Sequence, residues 1–109
     1  YRRSGNVDMS VSTSSESFES IPTEFQLLQN YPNPFNPSTQ IEFAIPEASL
    51  VKLEVFNTLG QRVQTLKNEK MPAGNYSVTF EAFDLTTGVY LYRLTAGEFS
   101  QINRMLLIK

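Results

Sequence analysis

Apolar and polar residues alternate along most of the chain after residue 38, which is the pattern of half-buried β-strands. In the first such run, residues 39–45, Ile41, Phe43 and Ile45 fall on one face, and Pro46 stops the run. Five further runs are each bounded by turn residues: 49–56, 61–66, 75–81, 89–96 and 99–108. No stretch has a helical stripe of useful length. The pattern therefore predicts an all-β domain, a β-sandwich of six or seven antiparallel strands.

The same alternation assigns side chains to an inner or an outer face of each run. Further core positions are predicted at Val51, Leu53, Val55, Tyr76, Val78, Phe80, Tyr90, Tyr92 and Leu94. Lys52 and Glu54 fall on the outer face of their run, where solvent would surround them. The mixed-charge residues 67–70 (KNEK) are predicted to form a solvated loop rather than a strand.

Four glycines mark predicted turns. Gly60 ends the NTLG turn at 57–60, where a residue without a side chain is free to adopt a positive φ. Gly97 precedes Glu98 and fits the first central position of a two-residue II′ hairpin. Gly74 and Gly88 close the preceding loops.

A proline-rich segment precedes the first strand. It consists of Tyr31, Pro32, Asn33, Pro34, Phe35, Asn36 and Pro37. Each proline fixes its own φ and biases the residue before it towards extended geometry, so the sequence predicts a stiff collar here. We expect Asn33 and Asn36 to hydrogen-bond their own backbone, and Tyr31 and Phe35 to plug an open end of the sandwich. A ligand-contact loop is the alternative interpretation of the same residues.

Residues 1–24 differ in composition from the rest of the chain. They contain seven serines and few apolar side chains, which is typical of a linker without a core of its own. Val7, Met9 and Val11 alternate with other residues, which is compatible with a short strand that ends a preceding domain. Because the sequence opens with Tyr1 rather than Met, we interpret it as the downstream piece of a longer protein. Residues 25–109 then form the folded domain.

Composition narrows the chemistry that the chain can perform. Its 109 residues include no cysteine and no histidine, which removes disulfides, thiolate metal sites and the usual general base. We therefore expect no enzymatic activity, no metal and no cofactor. The formal net charge of −2 argues against a nucleic-acid partner. No run approaches the roughly 20 apolar residues of a membrane-spanning helix, so we expect no transmembrane segment.

An ordered series of segments resembles the type A group of C-terminal sorting domains of the type IX secretion system, found in secreted and surface proteins of the Bacteroidota. The segments are YPNPFNPST (31–39), IEF (41–43), VKLEVFNTLGQRV (51–63), PAGNYSVTF (72–80), GVYLYRL (88–94), Gly97 and RMLLIK (104–109). The resemblance covers about residues 25–109 and implies an immunoglobulin-like β-sandwich. Residues 53–63 are also similar to the immunoglobulin-like module of flagellar hook-cap proteins.

The resemblance implies that the domain is a cleavable sorting signal, here called the label, for a cargo domain that precedes it. In such a family the cargo reaches the periplasm, and the outer-membrane translocon recognises the label and carries the cargo across. A sortase-like cysteine protease at the surface then cuts upstream of the label. These implications predict a secreted or cell-surface product. On composition, we expect the cut within residues 10–24.

The last six residues are the predicted contact with the translocon: Arg104, Met105, Leu106, Leu107, Ile108 and Lys109. Four consecutive apolar residues would suit an edge strand that pairs with a receptor and inserts alternate side chains into pockets. The alternative is an ordinary core strand, buried on one face and covered on the other.

Two other functions remain open from the sequence. A carbohydrate-binding or adhesion module would use Tyr31, Tyr76, Tyr90 and Tyr92 as an exposed platform, although core tyrosines whose hydroxyls bond backbone atoms are favoured. A stabilising domain packed on its cargo is the third possibility. Retention on polysaccharide would identify the first of these functions, and a loss of cargo stability on removal of residues 25–109 would identify the second.

Overall fold

A computed structural model describes residues 21–109 of the chain. Within them lie seven strands and no helix: β1 (Gln26–Leu27), β2 (Ser38–Ile45), β3 (Ser49–Phe56), β4 (Arg62–Met71), β5 (Gly74–Glu81), β6 (Gly88–Ala96) and β7 (Phe99–Leu107). This part of the chain therefore also lacks a helix long and apolar enough to cross a membrane. The strand suggested by Val7, Met9 and Val11 falls outside the described residues, as does most of the predicted linker.

The strands form two antiparallel sheets that pack face to face. One sheet has three strands in the order β1-β2-β5, and the other has four in the order β4-β3-β6-β7. The inner faces of both contribute to one core, in which Phe43 and Phe80 from the first sheet meet Leu53 and Tyr92 from the second. The prediction of an all-β, immunoglobulin-like sandwich is confirmed.

The core follows the predicted alternation closely. Ile41, Phe43, Ile45, Val51, Leu53, Val55, Phe80, Tyr90, Tyr92 and Leu94 are all buried, and Tyr76 and Val78 pack against them while partly exposed. Alternation succeeds in β2, β3 and β6 because each of these strands has one face on the core, so its side chains must change environment at every step.

The prediction of a loop at residues 67–70 is wrong, because β4 runs through them. Lys67 pairs with Leu53 and Lys70 with Leu50, in register with the neighbouring strand β3. This strand is the outer edge of its sheet, and most of its side chains are exposed, so it has no apolar alternation to reveal it. Charges and lysines on an exposed edge strand also oppose pairing with another chain.

Glu54 is on the outer face of β3, as predicted, but it is buried rather than solvated. Only 3% of the residue is exposed, since Arg62 from β4 and Arg93 from β6 cover it. Their guanidinium nitrogens lie 3.3 Å and 3.0 Å from the two carboxylate oxygens. The three side chains therefore join the central strand of the sheet to both of its neighbours.

Two predicted turns have the expected geometry. The side-chain oxygen of Asn57 accepts hydrogen bonds from the amides of Leu59 and Gln61, and Gly60 between them has a φ of 86°. Gly97 has a φ of 60° in the two-residue connection between β6 and β7, as the first position of a II′ turn requires. Both turns need a positive φ, which glycine adopts at little cost.

Candidate functional site

The collar, residues 31–37, lies beside the C-terminal end of β7 and bonds the backbone of residues 106–108. The amide of Phe35 donates to the carbonyl of Leu106 at 2.9 Å, and the amide of Ile108 donates to the carbonyl of Phe35 at 3.0 Å. The side-chain oxygen of Asn33 accepts a hydrogen bond from the Leu106 amide at 2.9 Å. A receptor therefore does not find a free backbone edge at these positions.

Contacts from outside the collar also hold residues 104–109. We refer to all the hydrogen bonds that hold this segment as the clasp. The side-chain amide of Gln29 donates to the carbonyl of Arg104 at 2.7 Å. At the other end, the amide of Lys109 donates to the hydroxyl of Thr87, and its ammonium donates to the carbonyl of Phe83 at 2.7 Å. Residues 104–109 are thus held at several points, by segments far apart in the sequence.

Phe35 is the apolar anchor of the collar. It is 2% exposed, and its ring centroid lies 6.0 Å from that of Phe80 across the core. Tyr31, by contrast, is 79% exposed, so the prediction that it would also plug the sandwich is wrong. Its contribution is through the backbone, because it forms a bridge with Gln40 of β2. The collar therefore closes the sandwich with one aromatic side chain.

The collar asparagines were expected to bond their own backbone, and Asn33 does not do so, because its side chain caps β7 instead. The three bonds that precede the prolines of the collar are all cis. At the end of the collar, the carbonyl of Pro37 accepts a hydrogen bond from the amide of Ala82, which fixes the entry into β2. These contacts show a collar that binds to distant segments rather than one that shapes only itself.

A buried polar residue, Asn30, lies next to the collar, and the sequence pattern did not predict its burial. Asn30 is 2% exposed, and its side chain donates to the hydroxyl of Thr39 at 3.0 Å and to the carbonyl of Pro32 at 3.1 Å. The Asn30 amide donates to the hydroxyl of Tyr92 at 2.8 Å, and that hydroxyl donates to the carbonyl of Leu28 at 2.7 Å. The chain before the collar is thereby fastened to the middle of β6.

Tyr92 is the centre of this group. Its hydroxyl also accepts a hydrogen bond from the side-chain amide of Asn103 in β7 at 3.3 Å. Burial raises the pKa of Tyr92 above its usual value, against the opposing effects of the Asn103 and Asn30 contacts, so the hydroxyl keeps its proton. One hydroxyl group thus links the segment that follows β1 with β6 and β7.

The other tyrosines do not form a binding platform. Tyr90 is buried and donates to the carbonyl of Thr86 at 2.7 Å, and the hydroxyl of Tyr76 donates to the carbonyl of Pro72. Core tyrosines whose hydroxyls bond backbone groups are therefore confirmed at Tyr90 and Tyr92, whereas Tyr76 bonds the backbone while partly exposed and Tyr31 is exposed. This arrangement counts against a sugar-binding surface built from these rings.

The side chains of residues 104–109 divide between the core and the surface. Met105 and Leu107 are buried, Leu106 is half-buried, and Arg104, Ile108 and Lys109 are exposed. Met105 and Leu107 have the environment predicted for a core strand, and the recognition role of the segment stays a prediction. A receptor can contact the exposed side chains, whereas Met105 and Leu107 hold the strand in the sandwich.

The remaining predicted motif residues lie in turns or at the beginning of strands. Gly74 and Gly88 are the first residues of β5 and β6, and Gly60 and Gly97 occupy the two turns with positive φ. They shape the fold and do not line a common cleft with residues 104–109.

The fold and the clasp define a small β-sandwich module in which the collar before β2 is bonded to the end of β7. Comparison with known families assigns it more closely. The model of the secretion system C-terminal sorting domain matches residues 29–109, and the chain belongs to this family of type IX sorting domains. No curated protein matches the chain. Membership implies interaction with the type IX secretion machinery and export to the cell surface or secretion.

Proposed function

We propose that this domain directs an attached cargo protein across the outer membrane through the type IX translocon, and that a sortase-like cysteine protease then removes it. The observation that carries the proposal is the family match over residues 29–109, which includes the whole clasp. The cargo would be attached before residue 25, on the side of the domain where Phe25 stacks on Phe99 with ring centroids 5.2 Å apart.

The translocon would contact the exposed side chains of residues 104–109. Arg104, Ile108 and Lys109 are exposed there, and their backbone neighbours are fixed by the collar. A contact surface that is already rigid loses little conformational entropy on binding. The clasp therefore supports recognition by presenting these side chains in one fixed arrangement.

The proposal is tested by fusing residues 1–109 to a periplasmic reporter in a host with an active type IX system. We expect the reporter at the surface or in the medium, and we expect it in the periplasm when the host lacks the translocon. Surface delivery without the translocon would contradict the proposal. Mass spectrometry of the exported product locates the cut, which we expect within residues 10–24.

Deletion of residues 104–109 is a poor test of recognition, because it removes Met105 and Leu107 from the core and breaks the contacts of Phe35. Arg104→Gln with Ile108→Ser leaves both core residues in place. We expect this variant to lose most of the export while keeping the melting transition of the parent. Export at the parental level would show that the exposed side chains of this segment are not the contact.

A further inference from the structure

The outer face of the four-stranded sheet carries most of the positive charge of the domain. Strand register and alternation place on it five of the seven basic residues that follow residue 30: Lys52, Arg62, Lys70, Arg93 and Arg104. Among the described strand residues of this face the only carboxylate is Glu54, which Arg62 and Arg93 cover. We refer to this surface as the basic face.

The outer face of the three-stranded sheet has the opposite character. Its strand residues include Glu42 and Glu81. In the part of the chain that the structure describes, they include no lysine or arginine. Between them lie polar side chains that bond each other, such as Gln40 with Thr79 and Ser77. The domain is close to neutral as a whole, but its two broad surfaces differ in charge.

Apolar side chains lie among the cations of the basic face. Phe56 and Leu91 occupy neighbouring positions on β3 and β6, and both are half-buried. The guanidinium carbon of Arg93 lies 4.9 Å from the centroid of the Phe56 ring, and a guanidinium nitrogen lies 3.0 Å from Glu54. These contacts hold Arg93 in place before any partner arrives, which reduces the entropy cost of binding.

We propose that the basic face docks on an acidic, partly apolar surface of a protein of the secretion machinery. This inference rests on the proposed function and names a second contact surface, on β3, β4 and β6, which adjoins the exposed side chains at the end of β7 and shares Arg104 with them. Charge complementarity indicates the kind of partner, because the guanidinium groups held by Glu54 and the ammonium groups beside them match carboxylates around an apolar patch. The exposed side chains of Leu50 and Ile102 lie on the same face and enlarge its apolar area.

A charge-matched pair of variants tests the proposal in the full chain fused to the reporter. Lys52→Gln with Lys70→Gln removes two positive charges from the basic face, at residues that form no ion pair within residues 21–109. Gln26→Glu with Asn75→Asp adds two negative charges to the other sheet at exposed positions of nearly the same shape. Both variants change the net charge equally, and neither alters residues 104–109.

We expect the first variant to export about tenfold less reporter and the second to export within about twofold of the parent. Equal export by both variants, whether reduced or unchanged, would overturn the inference. Absence of export by the parent chain would instead refute the proposed function, so the two failures are distinguishable. Matching melting transitions show that the variants remain folded.

A photo-crosslinking amino acid in place of Leu91 gives an independent measurement. We expect an adduct with one component of the type IX apparatus, identified by mass spectrometry, and no such adduct from the same group at Ser77. Adduct formation at Ser77 but not at Leu91 would overturn the inference. So would flotation of the parent chain with vesicles of phosphatidylcholine and phosphatidylglycerol, if Lys52→Gln with Lys70→Gln abolished it.

Discussion

Phe35 and Leu107 form an isolated parallel β-bridge that joins the segment before the first long strand to the end of the last. Both side chains are buried, and the backbone of Phe35 bonds the residues on either side of Leu107. The last residues of this edge strand are therefore paired within the domain.

Phe35→Ala should destabilise the domain by about 3–4 kcal/mol, because it leaves a cavity against Phe80 and removes the apolar anchor of the collar. Urea denaturation measures the free energy of unfolding. Tyr31→Ala is the matched control, since Tyr31 is exposed, and we expect a change within about 0.5 kcal/mol. Similar losses for both variants would show that the collar does not depend on one anchor.

Tyr92→Phe should cost about 1–3 kcal/mol, because the carbonyl of Leu28 and the amide of Asn30 lose their hydroxyl partner near the core. Tyr90→Phe removes a hydroxyl that bonds Thr86 at the edge of a loop, and we expect a cost of at most about 1 kcal/mol. Thermal unfolding of both variants compares the two hydroxyl groups. A smaller loss for Tyr92→Phe than for Tyr90→Phe would contradict the central role of Tyr92.

Stability should depend on pH through Glu54. Burial alone raises the pKa of this carboxyl group, but hydrogen bonds from Arg93 and Arg62 and the charge of Lys52 outweigh burial and hold the pKa below 4.5. A pKa that is depressed by folding contributes stability above its unfolded value and loses that contribution as pH falls through its folded value.

We therefore expect the stability difference between the parent and Glu54→Gln to be largest above about pH 5 and to shrink as pH falls below about 4.5. Chemical denaturation from pH 3 to pH 7 provides the measurement. Glu42→Gln, which removes an exposed carboxylate from β2, is the control for loss of a strand carboxylate. A difference that grows as the pH falls would show that the carboxylate opposes folding.

The charges on β4 should prevent self-association. Lys67→Val with Lys70→Val removes two cations from an edge strand and leaves a flatter, more apolar edge that another chain can pair with. We expect larger particles by light scattering at concentrations where the parent is monodisperse. Glu98→Val, in the turn between β6 and β7, also replaces a charge with valine but lies outside an edge strand, and particles of equal size from it would contradict the explanation.

The sequence predicted those strands that have one face on the core. In β3, Val51, Leu53 and Val55 alternate with polar residues, and the observed strand has the predicted bounds. The second half of β4 was missed because residues 67–70 are exposed or half-buried on both faces, so Lys67 and Lys70 follow no apolar alternation. Hydrophobic periodicity reports burial, and it reports strands only where the two coincide.

The candidate site was predicted in its parts but not in its connections. The prolines of the collar and the apolar residues 105–108 stood out in the sequence, yet their contact depends on how the chain folds back on itself. Asn30 and Thr39 were missed because an isolated asparagine or threonine carries no periodic signal, although both are buried. The basic face was not predicted for another reason. Acidic and basic residues cancel in the net charge, and their separation onto different faces is visible only once the strands are placed in register.

The bridge between Phe35 and Leu107 also makes the domain sensitive to incomplete synthesis. A ribosome makes the collar before the residues that bond it, so this contact cannot form until the chain has been made through residue 108. A prematurely ended polypeptide would keep a Phe35 without its partner strand and an unfinished sandwich. The complete fold therefore forms only in chains that have been translated through residue 108.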